Sequence, residues 1–201
     1  RNYFSAQAET WERQSLVNSR VVAGDEAVGR AFTSTIEELV FRRDDKAALA
    51  GDIRAMRKRM EDELGKEDAA HYNVKQGAGG LVDIEFLAQF LQLVHGTEQR
   101  WLRAPGTYNA LRALRKKKLL DDGDYRALMD AYLFMRLLES RMRIVTNQAT
   151  NQLMRDPVKL HPLARRMGYQ DDAPVAGRKL LADYERMREE VRGVFERVVR
   201  G

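Results

Sequence analysis

Residues 75–86 read Lys-Gln-Gly-Ala-Gly-Gly-Leu-Val-Asp-Ile-Glu-Phe, and no other stretch of the chain groups so many residues that could act together on a ligand. Glycines beside a lysine can turn backbone N–H groups toward a phosphate, and two carboxylates one residue apart can share a divalent cation. Spacing decides between these chemistries. Gly77, Gly79 and Gly80 lack the G-x-G-x-x-G order of a dinucleotide loop, and no G-x-x-x-x-G-K-[ST] phosphate loop occurs. Asp83 and Glu85 would share a face on a strand, but on a helix they point about 200° apart and cannot act as a metal pair. On the residues alone two readings of the glycines stay open. They form a phosphate-facing loop with Lys75, or a lead-in that lets a helix start close to its neighbours.

Other chemistry finds little support. His71, His95 and His161 are the three histidines and lie far apart, so no His-rich metal site is expected. Serine and histidine never meet in a nucleophile-elbow context, and no catalytic or metal-binding residues are assigned. There is no cysteine, hence no disulfide and no thiolate chemistry, which fits a reducing cytoplasm.

The elements that must position the loop read as helices. A composition 44% hydrophobic and 32% charged, with 4 prolines, predicts an all-α fold, a helical bundle with long antiparallel helices. A first helix is expected from about Ser5 to Val22, with Trp11-Glu12-Arg13 and Arg20 solvated or ion-paired. Asp25 caps a second through Phe41, and a one-sided helix follows, with Leu49, Ile53, Met56, Met60 and Leu64 as its stripe and Arg54, Arg57, Lys58 and Glu61 on the rest. From Leu81 to His95 apolar residues fill nearly every face, leaving Glu85, Gln89 and Gln92 as a polar stripe. Asp83, in the first turn, reads as a cap. A helix from Tyr108 to Leu119 is followed by the longest one, capped by Asp121 to Asp124 and running to Gln148, with Tyr132, Arg136, Glu139 and Arg143 as its polar stripe. An enclosed Glu85 would cost several kcal/mol without a partner, so Arg136 or Arg143 is expected beside it. Residues 150–174 read as loop around a short helix at Pro162 to Met167. The final helix, Val175 to Val199, has a seam of Leu180, Tyr184, Met187, Val191, Val194 and Val198.

The expected organisation is a single helical domain over residues 1–201, divisible into 1–72 and 73–201. The start at Arg1 rather than Met suggests a piece excised from a longer protein. No apolar run approaches the roughly 20 residues of a membrane span, and no leader is recognised, so no membrane partner is expected. A net charge of +5 is modest. Its densest run, Arg115 to Lys118, reads as a solvated helix end without interleaved aromatics, so nucleic acid is not expected as a partner.

The 75–86 stretch also resembles the signature K-x-G-x-G-G-[IL]-x-[DE]-I-E-F of bacterial glutamine synthetase adenylyltransferases, the bifunctional adenylyl-removing enzymes. Lys75, Gly77, Gly79, Gly80, Leu81, Asp83, Ile84, Glu85, Phe86 and Gln89 match it. Glu9 to Asp25, Phe41 to Arg43 and Ala131 to Arg143 agree in the same order, so the resemblance covers nearly the whole chain. "YLFMRLLE" and "FRR" look more like the N-terminal, deadenylylating half. The resemblance implies the helical domain that follows a nucleotidyltransferase domain, similar also to the helical domain of P-II uridylyltransferases. It implies a fragment inactive alone and free of cofactors, with magnesium and ATP held by the parent enzyme. The implied partners are the preceding nucleotidyltransferase domain, glutamine synthetase and the P-II signalling protein. Lys75, Gly77, Gly79 and Gly80 would face the active-site cleft, while Asp83, Glu85, Gln89, Arg136, Glu139 and Arg143 form a structural polar seam. The competing expectation is an interaction module that docks glutamine synthetase or P-II without a catalytic contact.

Overall fold

The computed structural model describes residues 8–146 and 150–200. Among them the chain forms eight α-helices and a single two-stranded ribbon, a predominantly α fold as composition predicts. The helices are α1 (Thr10–Leu16), α2 (Glu26–Val40), α3 (Lys46–Met60), α4 (Leu81–His95), α5 (Thr107–Lys116), α6 (Asp122–Thr146), α7 (His161–Arg166) and α8 (Val175–Val198). A π-helical turn, Glu61–Gly65, continues α3, and a 3-10 turn, Arg100–Arg103, precedes α5. The strands β1 (His71–Asn73) and β2 (Gln152–Met154) run antiparallel, with Tyr72 opposite Leu153.

The chain divides into two compact units. One comprises Arg1–Met56, Glu85–Tyr125 and Val198–Gly201, the other Arg57–Ile84 and Arg126–Arg197. In the first, α1 is shorter than its sequence suggests. It ends at Leu16, and two residues on, Asn18 accepts from the Gly106 N–H with its side-chain oxygen (2.8 Å). Val21 and Val22, beyond the end of α1, are exposed, and Ser5 to Gln7 lie outside the described residues. Arg13 is the ion-paired case of the expectation for Trp11 to Arg13: 2% exposed, its guanidinium grips both oxygens of Asp44 (2.9 and 2.7 Å) and the Val40 carbonyl (2.7 Å). Asp25 caps α2 as expected, accepting from the Ala27 and Val28 N–H groups (2.9 and 3.0 Å). The polar stripe of α4 is satisfied: Gln89 accepts from Gln14 (2.7 Å), and Gln92 donates to the Leu102 and Ala104 carbonyls (2.6 and 3.0 Å).

In the second unit, Leu180, Tyr184, Val191 and Val194 of α8 are buried as the seam predicts. The long helix α6 departs from expectation. It buries one stripe, Leu128, Ala131, Met135, Leu138 and Met142, while Leu133, Leu137 and Ile144 are exposed. The sequence puts apolar residues on most of its faces, yet the helix is one-sided, and Gln148 lies outside the described residues. The β ribbon replaces the irregular start expected after Thr150. Strands of three residues are too short to display a period of two, and their pairing joins segments some eighty residues apart.

Candidate functional site

The glycine loop is built between β1 and α4. Asn73, at the end of β1, is 3% exposed, and its side-chain oxygen accepts from the N–H groups of Lys75 (3.1 Å) and Gln76 (2.8 Å), forming an Asx turn. The chain then tightens: Gly77 donates to the Asn73 carbonyl (2.9 Å) and Gly80 to the Gly77 carbonyl (3.0 Å). Leu81 and Val82 reach back to the carbonyls of Val74 (3.1 Å) and Lys75 (3.0 Å). The Gly79 N–H, the remaining glycine donor, points at the Asp83 carboxylate (2.8 Å). All three glycine amides that could have met a phosphate are thus engaged inside the protein, one of them by an anion the chain itself supplies.

The glycines are required by close approach. Gly79 has a φ of +70°, and a Cβ there would overlap the Arg188 backbone carbonyl on α8. A Cβ at Gly77 would overlap the Glu67 carboxylate and the Asn73 carbonyl. Any side chain at either place would push the loop off its neighbours.

Three arginines hold the loop. Arg57, expected on the solvated side of α3, is 1% exposed. Its Nε meets Asp83, itself 0% exposed, and its Nη2 donates to the carbonyls of Gln76 (3.1 Å) and Gly77 (2.7 Å). Leu49, Ile53 and Arg57 are spaced four apart, so the buried face runs through Arg57, while Leu64 ends up exposed. From α8, Arg188 donates to the Ala78 carbonyl (3.0 Å) and Glu67 (2.7 Å), and Arg192 reaches Glu61 (3.0 Å) and Asp83 (3.4 Å). Burial opposes the charge on Arg192, but Asp83, Glu196 and Glu61 outweigh it and raise its pKa. The Tyr72 ring is stacked by the guanidiniums of Arg155 (4.4 Å) and Arg188 (4.5 Å), and its hydroxyl donates to Glu185 (2.7 Å). Burial, then that bond, pushes its hydroxyl pKa up.

Arg57, Arg188 and Arg192 thereby meet Asp83, Glu61 and Glu67, and Arg192 also bonds Glu196 on its own helix (2.8 Å). Asp83 does more than cap. It bonds the loop and ties α3 and α8 to it. Its oxygens are engaged by Arg57, Arg192 and the Gly79 N–H, and no group of three or more His, Asp or Glu is placed to hold a metal ion among the described residues. Lys75 is half-buried, and its ammonium makes no ion pair among the described residues.

The other seam residues sit elsewhere. Arg136 (2.7 Å) and Arg143 (2.9 Å) both bond Glu139 on their own helix, a carboxylate 5% exposed, rather than serving as the partner sought for Glu85. Glu85 is half-buried. Arg57, Glu61, Glu67, Arg188 and Arg192 were missed from sequence. The usable signal was spacing: Arg57 follows Ile53 by four, and Arg188 and Arg192 follow Tyr184 by four and eight.

Fold and site together define a helical domain organised around a glycine loop locked by arginines. Residues 51–199 match the family model described as GlnD PII-uridylyltransferase, and the chain belongs to that family. Among its relatives are proteins named bifunctional glutamine synthetase adenylyltransferase/adenylyl-removing enzyme. The one from Corynebacterium glutamicum is 34% identical over 169 residues, covering 83% of this chain and 16% of the relative. That from Streptomyces coelicolor is 33% identical over 196 residues (98% and 19%), and that from Stenotrophomonas maltophilia 37% over 170 (84% and 18%). The chain spans less than a fifth of the length of these curated relatives.

Proposed function

We propose that the chain is the helical domain following a nucleotidyltransferase domain in a bifunctional glutamine synthetase adenylyltransferase/adenylyl-removing enzyme, of the deadenylylating half. In this reading it packs on that domain, lines its active-site cleft and has no activity alone. ATP and magnesium belong to the linked domain, and the parent enzyme acts in the cytoplasm on glutamine synthetase under P-II control. The names and identities of the relatives support the assignment. One local observation carries the role of the loop. The glycine amides are consumed internally, and the Lys75 ammonium is left without an ion pair among the described residues. Lys75 is therefore the phosphate-facing group, and Gly77, Gly79 and Gly80 shape its platform.

Replacing Lys75 by Ala in the full-length enzyme tests this. The expected result is a loss of roughly tenfold or more in kcat/KM for removing adenylyl groups, the scale of one charge-assisted contact, with an unchanged Tm. Unaltered kcat and KM would remove Lys75 from the cleft.

A second reading, a docking module for glutamine synthetase or P-II, draws on the exposed apolar residues Leu133, Leu137 and Ile144 of α6 and Val28 and Phe32 of α2. It requires this chain alone to bind glutamine synthetase or P-II in a pulldown with the purified proteins, and Leu137→Glu or Phe32→Glu to abolish that binding.

A further inference from the structure

The α5–α6 turn holds cations that lack carboxylate partners. An open pocket of about 800 Å³ there is lined by Arg112, Arg115, Lys116, Lys118, Leu120 and Tyr125 and by the carboxylates Asp121 and Asp122. The two carboxylates have other duties: Asp122 bonds Arg115 (2.7 Å), and Asp121 accepts from the Asp124 N–H (2.8 Å). Arg112, stacked on Tyr108 at 5.6 Å, and Lys116 and Lys118 form no ion pair among the described residues.

Lys118 is the unexpected member. Leu119 donates to the Leu114 carbonyl (3.0 Å) and Lys118 to that of Arg115 (2.9 Å), a Schellman turn whose left-handed position is Lys118 at φ +57°. Glycine adopts that conformation freely and ordinarily fills this position, whereas a lysine adopts it at a cost. The chain accepts the strain and gains a third unpaired cation in the pocket. Neighbouring Lys117 has the same charge but lies over Trp101 at 5.0 Å and does not line the pocket.

We propose that this pocket binds a small phosphate-bearing polyanion, either a nucleoside polyphosphate or free pyrophosphate. Its size is within the range of small-molecule sites, roughly 300–1,000 Å³. A guanidinium with two ammoniums suits a multiply charged phosphate, and Leu120 with Tyr125 offers an apolar floor to an organic portion.

The test titrates the 201-residue chain with pyrophosphate and, separately, with metal-free ATP, following α5–α6 amide shifts by NMR and affinity by calorimetry. Lys116→Ala and Lys118→Gly each weaken binding by roughly fivefold or more, while Lys117→Ala leaves the Kd unchanged. Lys118→Gly also raises Tm by about 2 °C by relieving the left-handed lysine, which separates lost binding from lost fold. Tighter ATP than pyrophosphate assigns the organic portion to the floor, and equal affinities assign the site to the phosphates alone. Equal weakening by Lys117→Ala, or no saturable binding of either probe at millimolar concentration, overturns the proposal.

Discussion

At the glycine loop, Arg57, Arg188 and Arg192 face Asp83, Glu61 and Glu67, and further N–H groups go to the carbonyls of Gln76, Gly77 and Ala78. At the α5–α6 turn, Arg112, Lys116 and Lys118 are exposed and share a pocket whose carboxylates are spent elsewhere. The difference follows from solvation. A buried guanidinium loses its water and must find an anion or carbonyl within the protein, whereas an exposed one stays hydrated and can remain unpaired at little cost. The region that looks most like a phosphate site by sequence is therefore the one whose backbone donors are taken, with the Lys75 ammonium left outside the ion pairs of the described residues. A ligand for a cation is better sought where water, not protein, is its present partner.

If that contrast holds, the largest loss comes from Asp83→Ala. It strands Arg57 at 1% exposure and frees the Gly79 amide, at a cost of about 3–5 kcal/mol measured by urea denaturation. Arg57→Met combined with Asp83→Leu should recover most of that loss, because no uncompensated charge is left buried. A single-mutant cost under about 1 kcal/mol would break the comparison, since exposed pairs lose that little.

Gly79→Ala comes next. The added methyl meets the Arg188 carbonyl at a φ of +70°, so strain and overpacking together should cost about 2–4 kcal/mol. Gly51, inside α3 with nothing within 4 Å of its would-be Cβ, gives the opposite sign: Gly51→Ala should stabilise by about 0.5–1 kcal/mol. Matching effects at the two glycines would mean the loop does not press on α8. The two values come from the same denaturation series.

How much of this could be read from the sequence depends on what each feature needs. Helix α2 was legible because Asp25 caps it locally, and α4 because its apolar residues outlast any strand. The seam of α8 was legible from its alternating spacings of three and four. The ribbon was not, because Tyr72 meets Leu153 only through tertiary pairing. Nor was the buried role of Arg57: residue type says solvated, and only its register with Leu49 and Ile53 says otherwise. Asp83 was read as a cap, and it does reach back to the Gly79 N–H, but its burial and its two arginines depend on α3 and α8 arriving from far along the chain. The glycines carried a double signal that spacing could not resolve, because a tight approach to a carbonyl and a tight approach to a phosphate call for the same residue.

The smallest effect concerns pH and belongs to the unit without the arginine network. His95, in the last turn of α4, has its pKa lowered by burial first and then by Lys46, with Glu98 opposing. Its folded state therefore holds fewer protons than the unfolded chain just below the ordinary histidine pKa of about 6.5. Stability is full above that value and declines as pH falls from there through the lowered folded pKa. His95→Gln, which cannot take up the proton, should flatten the Tm profile between about pH 5 and 7 and leave the response at lower pH, where Glu37 loses its bonds to Arg100 and Arg103, unchanged. A wild-type profile already flat across that interval would show that His95 is solvated well enough to titrate as in the unfolded chain, and would place it with the exposed cations of the α5–α6 turn rather than with the buried charges of the loop.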